Sequence, residues 1–172
     1  EPKKDPLLLI RAFQEMPHAD IRLLMVGNGV LETEAKQLAA NDKRILFLDF
    51  QNQQQMPVIY RLGDVFVLPS KSETWGLGIN EAMACSRSAI VSDACGCAPE
   101  LIVKGETGFT FQSGDMLSLL QQMEKFRDRA IAFEMGKKAE MHIRGFSLEQ
   151  VAEVIDKREQ SITFDPSWLV NL

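Results

Sequence analysis

The sequence is poor in the residues that mark several functional classes. It has 2 His, 3 Cys, 2 Trp and 1 Tyr among its 172 residues. With so few of these aromatic residues, no basic run and a net charge of −5, nucleic acid is a poorly supported partner. No apolar run approaches the roughly 20 residues that span a bilayer. The odd number of cysteines argues against a disulfide framework and favours a reducing compartment.

Length and composition are those of one globular domain. Apolar residues make up 45% and charged residues 25% of the chain, which is enough to build a buried core. There is no internal repeat, low-complexity stretch or convincing linker. We therefore predict a single domain over 1–172, ending in an apolar tail over 161–172. The first residues, Glu1 to Lys4, are not typical of a natural start, so we expect the chain to be a fragment.

Short apolar segments alternate with segments of helical spacing. Strands are predicted at 21–26, 45–48, 65–68, 89–92 and 109–111, and helices at 6–16, 31–40, 53–62, 77–85 and, as a single turn, 100–103. This alternation predicts an α/β fold, with a Rossmann-like parallel sheet that carries helices on both faces. Ligands of such sheets bind at the carboxyl ends of the strands, which here are the loops at 27–29, 49–52, 70–78 and 93–99.

The remainder of the chain is predicted to be a helical C-terminal segment. Asp115 is expected to cap a helix over 116–126, and a polar helix follows over about 128–143. Ser147 and Gln150 form a capping box, which predicts that a further helix begins there. The tail over 161–172 is apolar but has no periodic pattern.

Two other candidate sites fail on their spacing. Gly27-Asn28-Gly29 follows a strand as in a dinucleotide fingerprint, but the third small residue is replaced by Glu32, whose charge would lie against a pyrophosphate. Cys95-Gly96-Cys97 with Cys85 lacks a fourth zinc ligand, because both histidines are remote in sequence. We interpret the first as a tight turn and the cysteines as buried or loop thiols, with Gly96 allowing close backbone approach.

The segment 64–84 places two carboxylates on either side of a glycine-bearing turn. Glu73 follows the third strand, Gly76 and Gly78 lie in the turn, and Glu81 lies near the start of the next helix. A carboxylate near a helix N-terminus can accept two ribose hydroxyls, and a second on the loop can accept those of another sugar. Backbone N–H groups between them can bind a diphosphate. Sugar, diphosphate and ribose are the groups of a nucleotide-activated sugar, in that order.

Such a ligand would need positive charge close to its phosphates. Lys3 and Lys4 immediately precede the first predicted helix and could point into the same cleft. A lysine contacts phosphate as a point charge, so several positions of its amine relative to the phosphate are suitable.

Four collinear segments resemble the retaining glycosyltransferases of the GT-B fold, specifically the large group 1 (family 4) set. The first is the E-x7-E motif, from Glu73 to Glu81, followed by Ala82-Met83-Ala84. The others are LGDVFVLPS (62–70), SDACGCAPELI (92–102) and GETGF (105–109). The resemblance covers Lys4 to about Phe111 and, more weakly, the C-terminal helices.

The resemblance implies a donor site. Lys4 would bind phosphate and stabilise the departing nucleoside diphosphate, and Glu73 would hold the hydroxyls of the donor sugar. These two are the expected catalytic residues. No metal and no cofactor is expected, since the nucleotide sugar is the substrate. The donor-binding residues implied are Glu73, Trp75, Gly76, Leu77, Gly78 and Glu81, with Phe50 and Gln51 near the base.

The chain also departs from the family pattern. Asp5 and Asp49 stand where the family has glycine, and Cys85-Ser86-Arg87-Ser88 replaces a run that carries glycine and proline. The family's phosphate-binding arginine, on a strand and loop before Lys4, is absent from this sequence. The two aspartates are expected to add negative charge near the cleft.

The resemblance implies that the chain is the C-terminal, donor-binding domain of an enzyme that transfers a sugar to an acceptor hydroxyl with retention. The partners implied are a nucleotide sugar, an N-terminal domain of the same protein and a saccharide or lipid-linked acceptor. The expected location is cytoplasmic, with peripheral membrane association of the full-length protein as an option. This domain alone is expected to be inactive.

Two alternatives stay open. One is a GT-B relative that does not transfer sugar, such as a sugar-nucleotide epimerase; a phosphorylase would need a pyridoxal-phosphate lysine, for which no candidate is present. The other is a non-catalytic nucleotide-binding or interaction module that docks a partner through its apolar tail.

Overall fold

A computed structural model describes residues 1–146 of the chain. The helix predicted from the capping box at Ser147 and the apolar tail over 161–172 lie outside the described residues. Across the described part, strands and helices alternate, as the sequence pattern predicts. The predicted α/β fold is confirmed.

Five short strands form the centre of the fold, and every strand pair is parallel. They are rich in β-branched and large apolar residues, which suits strands that are covered by helices on both faces. The strands are β1 (Leu23–Val26), β2 (Ile45–Leu48), β3 (Val65–Leu68), β4 (Ser88–Ser92) and β5 (Gly108–Phe111).

The strands form two hydrogen-bonded sheets rather than the single sheet predicted. β1 pairs with β2, and β3, β4 and β5 form the other sheet in that order. Apolar patterning predicts strands but not which backbone edges meet, so it could not reveal this division. One hydrophobic core nevertheless joins the two sheets, because side chains of β1, such as Leu23, and of β3, such as Val65, pack against the same cluster.

Seven α-helices and two 3-10 turns complete the described part of the chain. The 3-10 turns are Pro2–Lys4 and Arg144–Phe146. The α-helices are α1 (Pro6–Gln14), α2 (Glu32–Ala39), α3 (Met56–Leu62), α4 (Leu77–Ala84), α5 (Ala98–Leu101), α6 (Met116–Glu124) and α7 (Arg129–Ile143). The Asp115 carboxylate accepts a 3.0 Å hydrogen bond from the Ser118 amide, so the predicted cap of α6 is confirmed.

Two clusters of buried side chains fix the sheets and helices. The first is centred on α1, whose Leu9, Ile10 and Phe13 are buried against both sheets. The second packs α4 and α7 around β4 and includes the buried Cys95 and Cys97. The predicted reading of these cysteines as buried thiols is confirmed.

The first residues of the chain lie between the ends of β1 and β3. The Lys71 amide, just after β3, donates a 2.7 Å hydrogen bond to the Lys3 carbonyl. The amino nitrogen of Glu1 lies 3.4 Å from the point that a Cβ at Gly29, just after β1, would occupy. The segment that carries Lys4 is therefore placed at the carboxyl ends of the strands, where ligands of such sheets bind.

Candidate functional site

The Lys4 amine donates a hydrogen bond to the Glu73 carboxylate, although 69 positions separate the two residues. The Glu73 side chain is 13% exposed and that of Lys4 is 41% exposed, so the pair is in partial contact with solvent at the carboxyl ends of the strands. The hydrogen bond from Lys4 holds the pKa of Glu73 below its ordinary value, against the opposing effect of burial. Glu73 is thus kept as an anion with a cation in contact.

A ladder of backbone hydrogen bonds fixes the loop that carries Glu73. The Glu73 amide donates to the Ala94 carbonyl over 3.3 Å, and the Gly96 amide donates to the Glu73 carbonyl over 2.9 Å. A third bond, of 3.2 Å, runs from the Cys97 amide to the Trp75 carbonyl. The loop after β3 is therefore held by the loop after β4, the neighbouring strand.

Gly96 makes this contact between loops possible. A Cβ built at this position would lie 2.0 Å from the Thr74 carbonyl oxygen, a separation that no real side chain shows. The close backbone approach predicted at Gly96 is confirmed. The two loops could not keep their present hydrogen bonds with any larger residue there.

The turn after Glu73 leads directly into α4. Gly76 is the N-cap residue, with φ of 106°, a left-handed conformation that favours glycine. The amides of Leu77, which is 70% exposed, and of Gly78 have no hydrogen-bond partner within residues 1–146, whereas the Ile79 amide donates a 2.8 Å hydrogen bond to the Gly76 carbonyl. The Trp75 indole N–H donates a 2.9 Å hydrogen bond to the Asn80 side chain, which ties the turn to the helix.

Glu81, in the second turn of α4, has a different kind of partner. The Tyr60 hydroxyl of α3 donates a 2.8 Å hydrogen bond to its carboxylate. Burial and this hydrogen bond raise the pKa of Tyr60, so the partner stays a neutral donor. Tyr60 packs in a small buried cluster with Ala82 and Cys85, where its hydroxyl needs a hydrogen-bond partner. The sequence analysis did not assign Tyr60 to the site, because a contact between two helices has no local sequence pattern.

Phe50 and Gln51 lie in the loop after β2, in the other hydrogen-bonded sheet. Phe50 is 69% exposed, and the Gln51 amide donates a 3.0 Å hydrogen bond to the Asp49 carbonyl. Within residues 1–146 no hydrogen bond or ion pair joins them to Glu73 or Glu81. The structure thus brings Lys4 to Glu73 and places 75–81 beside them, but leaves Phe50 and Gln51 separate.

Two residues that the sequence analysis did not assign to the site hold the segment of Lys4 in place. The Asp5 carboxylate forms a 3.0 Å ion pair with the Lys71 amine, and the Asp5 side chain is only 11% exposed. Asp5 has φ of 47°, in the left-handed region. Its replacement of a family glycine was a sequence signal that the backbone here is unusual.

The part of the chain that the structure describes offers little support for a metal site, a cysteine nucleophile or a membrane-spanning helix. It contains no group of three or more His, Cys, Asp or Glu side chains arranged to hold a metal ion. Burial raises the pKa of the Cys97 thiol to about 11 and also raises that of Cys95, which makes both poor nucleophiles. No helix within 1–146 is long and apolar enough to cross a bilayer.

The fold is shared with solved structures, among them a domain of a group 1 glycosyl transferase. The complex of HepE from Anabaena with UDP and glucose matches with a TM-score of 0.79 at 22% identity, over 94% of this chain and 46% of that one. The C-terminal domain of the group 1 glycosyl transferase LpcC from Francisella tularensis matches with a TM-score of 0.73 at 23% identity, over 86% of this chain and 82% of that one. The predicted likeness to the C-terminal half of a GT-B fold is confirmed.

Sequence comparison gives the same family. The D-inositol 3-phosphate glycosyltransferase of Corynebacterium efficiens is 30% identical over 164 residues, which cover 86% of this chain and 37% of the relative. The chain thus spans less than half the length of this relative. The family model for glycosyl transferases group 1 matches residues 1–141. Because that match extends over most of its length, the chain belongs to the group 1 family of glycosyl transferases.

Proposed function

We propose that this chain is the nucleotide-sugar-binding domain of an enzyme that transfers a sugar from a nucleoside diphosphate to an acceptor hydroxyl. The observation that carries the proposal is the contact between Lys4 and Glu73 beside the N-terminus of α4. The Lys4 cation, the Glu73 anion and the Leu77 and Gly78 amides at the start of α4, unpaired in the described part of the chain, match a ligand that has a diphosphate between two polyols.

Each part of that ligand has a proposed contact. The Glu73 carboxylate accepts hydroxyls of the donor sugar, and the N–H groups around Gly76–Gly78 receive the diphosphate. Glu81, oriented by Tyr60, accepts the ribose hydroxyls. Trp75 and Leu77 border the sugar and diphosphate, and the exposed loop at Phe50 and Gln51 faces the base.

The proposed catalytic contribution of Lys4 is electrostatic. Negative charge grows on the β-phosphate as the sugar leaves, and an ammonium group in contact with that phosphate stabilises the transition state. Lys4 would leave Glu73 for the phosphate, which frees the carboxylate for sugar hydroxyls. With the positive charge supplied by Lys4, the proposed reaction needs no metal ion, and we propose that the sugar keeps its anomeric configuration.

The acceptor and the remaining part of the site belong to the proposal as well. The chain spans 37% of a curated relative, so we propose that an N-terminal domain of the same protein binds the acceptor, a saccharide or a lipid-linked saccharide. We expect no sugar transfer by residues 1–172 alone. The three free cysteines support a reducing, cytoplasmic location, with peripheral association at the membrane for the full-length protein.

The two carboxylates provide the test. Residues 1–172 are titrated calorimetrically with UDP, GDP, ADP and their hexose esters. We expect Glu81→Gln to lower the affinity for a nucleotide and the affinity for its sugar ester by the same factor. The factor is about tenfold, the value of one lost charge-assisted hydrogen bond. Glu73→Gln should lower only the affinity for the sugar ester, because it removes a contact with the sugar. Affinity for the bare nucleotide should not fall, because Lys4 is then free to contact the phosphate.

The exposed Glu15, at the end of α1, provides the matched control. Glu15→Gln makes the same change of charge away from the loops after β3 and β4, and should leave every affinity unchanged. The proposal fails if wild-type protein binds none of these ligands, or if Glu73→Gln and Glu81→Gln behave like the control.

A further inference from the structure

We infer that Lys71 and Asp5 form a strap that positions Lys4 at the donor site, so that Lys71 is a positioning residue for the proposed phosphate contact. The inference rests on the proposed function for its role in catalysis. The strap itself consists of two contacts, the Lys71–Asp5 ion pair and the hydrogen bond from the Lys71 amide to the Lys3 carbonyl.

The conformation of Asp5 is the first argument. It ends the 3-10 turn of Pro2–Lys4 and also precedes the first residue of α1, with φ of 47° and ψ of 52°. Among residues other than glycine, aspartate and asparagine adopt this left-handed conformation most readily. This residue therefore ends the 3-10 turn that carries Lys4 and allows α1 to begin in a different direction.

The second argument is what the Asp5 carboxylate does. An aspartate at an N-cap usually accepts hydrogen bonds from the first amides of its helix. The Asp5 side chain makes no such bond to α1. It pairs instead with the Lys71 amine at 3.0 Å, while only 11% of its side chain is exposed. Helix capping therefore does not explain why a carboxylate is present at position 5, whereas the ion pair with Lys71 does.

Lys71 holds the Lys4 segment on both sides. Its amide binds the carbonyl of Lys3, and its amine binds the side chain of Asp5, so the two residues that flank Lys4 are attached to one residue. Lys71 lies two positions before Glu73, which the Lys4 amine contacts. Residues 71–73 thus hold the backbone of the Lys4 segment and the amine of Lys4 together.

The strap holds Lys4 less firmly than the backbone hydrogen bonds hold Glu73. Glu73 is fixed independently by the backbone bonds to 94–97, which do not involve Lys71 or Asp5. Loss of the strap should therefore displace Lys4 and leave Glu73 in place. The Lys71 side chain is 59% exposed, so its ion pair is of the modest, surface kind and its loss should not unfold the chain.

A direct role of Lys71 in binding phosphate is the competing explanation, and a double-mutant cycle separates the two. The variants are Lys71→Met, Asp5→Asn and their combination, made in residues 1–172. Asparagine keeps the tolerance for the left-handed conformation and removes the charge. If Lys71 acts through Asp5, each single variant weakens binding of UDP by about fivefold, and the double variant is no weaker than either single one.

If Lys71 instead binds phosphate directly, Asp5→Asn frees its amine, and binding of UDP stays equal or tightens; that result overturns the inference. Uridine is titrated beside UDP, since a displaced Lys4 lowers affinity for the diphosphate and not for the nucleoside. An equal loss for both ligands would indicate a general structural defect and also overturn it. Lys137→Met, which removes the same charge from an exposed ion pair in α7, is the control.

Amide hydrogen exchange without any ligand separates this inference from the proposed function. The Lys71 amide should be protected in wild-type protein and should exchange faster in Asp5→Asn, while the amides of Gly96 and Cys97 keep their protection. An unchanged rate at Lys71 overturns the strap even if UDP binds. Failure of the wild type to bind any nucleotide, with the exchange result as expected, overturns only the proposed function.

Discussion

Glu73 and Glu81 belong to one continuous segment, yet the fold gives them opposite surroundings. Glu73 contacts a cation and is fixed by backbone bonds from the neighbouring loop. Glu81 accepts a hydrogen bond from the neutral hydroxyl of Tyr60 and is carried by α4. The first carboxylate already has the positive charge that a phosphate would compete for, and the second has a donor that only orients it.

This difference indicates that the two carboxylates can be altered separately. Binding of a diphosphate would draw Lys4 away from Glu73 but would not disturb the contact between Glu81 and Tyr60. Under the proposed function, the Glu73 half of the segment would respond to the ligand, whereas the Glu81 half is already oriented by Tyr60. Changes to the supports of each carboxylate should affect different parts of the same ligand.

The largest effect is expected from Gly96→Ala. A methyl group there would lie 2.0 Å from the Thr74 carbonyl, so the loops of Glu73 and Cys95 must separate and lose their hydrogen bonds. We expect a loss of about 3 kcal/mol in the free energy of unfolding, as for other overpacked sites. Urea denaturation measures it. Affinity for a nucleotide sugar should fall more than affinity for the bare nucleotide.

Gly63→Ala provides the control for that substitution. A Cβ at Gly63 meets its nearest atom, the Val65 carbonyl oxygen, at 3.7 Å, which is an ordinary contact. Its effect on stability should be small. Equal losses at Gly63 and Gly96, or equal losses of affinity for nucleotide and nucleotide sugar, would contradict the view that Gly96 supports the Glu73 half alone.

The next effect in size is expected from Tyr60→Phe. It removes the 2.8 Å hydrogen bond to Glu81 and leaves the packing of the ring against Phe66. Without its orienting partner, Glu81 can lose at most its own charge-assisted contact with the ligand, about 1.5 kcal/mol, so affinity for a nucleotide should fall by up to roughly tenfold. Calorimetry with a nucleotide and its sugar ester should give the same factor for both, because only the proposed ribose contact of Glu81 is weakened.

The combination with Glu81→Gln sharpens this test. If Tyr60 acts by orienting Glu81, the double variant should bind nucleotide no more weakly than Glu81→Gln alone. Additive losses would indicate that Tyr60 contacts the ligand itself or supports another part of the site.

The sequence pattern predicted most of the fold because the strands are continuous apolar runs that alternate with helical spacing. It also predicted that Glu73, Gly76 and Glu81 lie around the start of a helix, since strand, turn and helix are local features. The partners of the carboxylates were harder to predict. Tyr60 reaches Glu81 from another helix, and Lys71 reaches Asp5 across 66 positions, so both contacts depend on how the elements pack.

The division of the strands into two sheets was equally hard to predict from sequence, because it also depends on how the elements pack. Residues of β1 and β3 have the apolar character of neighbouring central strands, and only the arrangement of their backbone edges shows that they are not hydrogen-bonded to each other. Likewise, the sequence named Lys4 as the cation through resemblance, whereas its contact with Glu73 follows from the position of the first five residues between two strand ends.

The smallest expected effect is on the pH dependence of stability. The hydrogen bond from Lys4 lowers the pKa of Glu73 from its ordinary value of 4.5, so the folded chain holds the anion more strongly than the unfolded chain does. This contribution to stability is present above pH 4.5 and is lost as the pH falls through the lower pKa of the folded state. Urea denaturation of wild type and Lys4→Met from pH 7 downward measures it.

Lys4→Met should bring the pKa of Glu73 back up, because the largest cause of its lowering is removed. The difference in stability between wild type and Lys4→Met should therefore narrow below pH 4.5 and be constant above it. Lys137→Met, which also removes one lysine charge, should give a curve parallel to wild type in this range. A difference that widens on acidification would mean that Lys4 does not stabilise the Glu73 anion, and the contrast between the two carboxylates would then have to rest on Tyr60 alone.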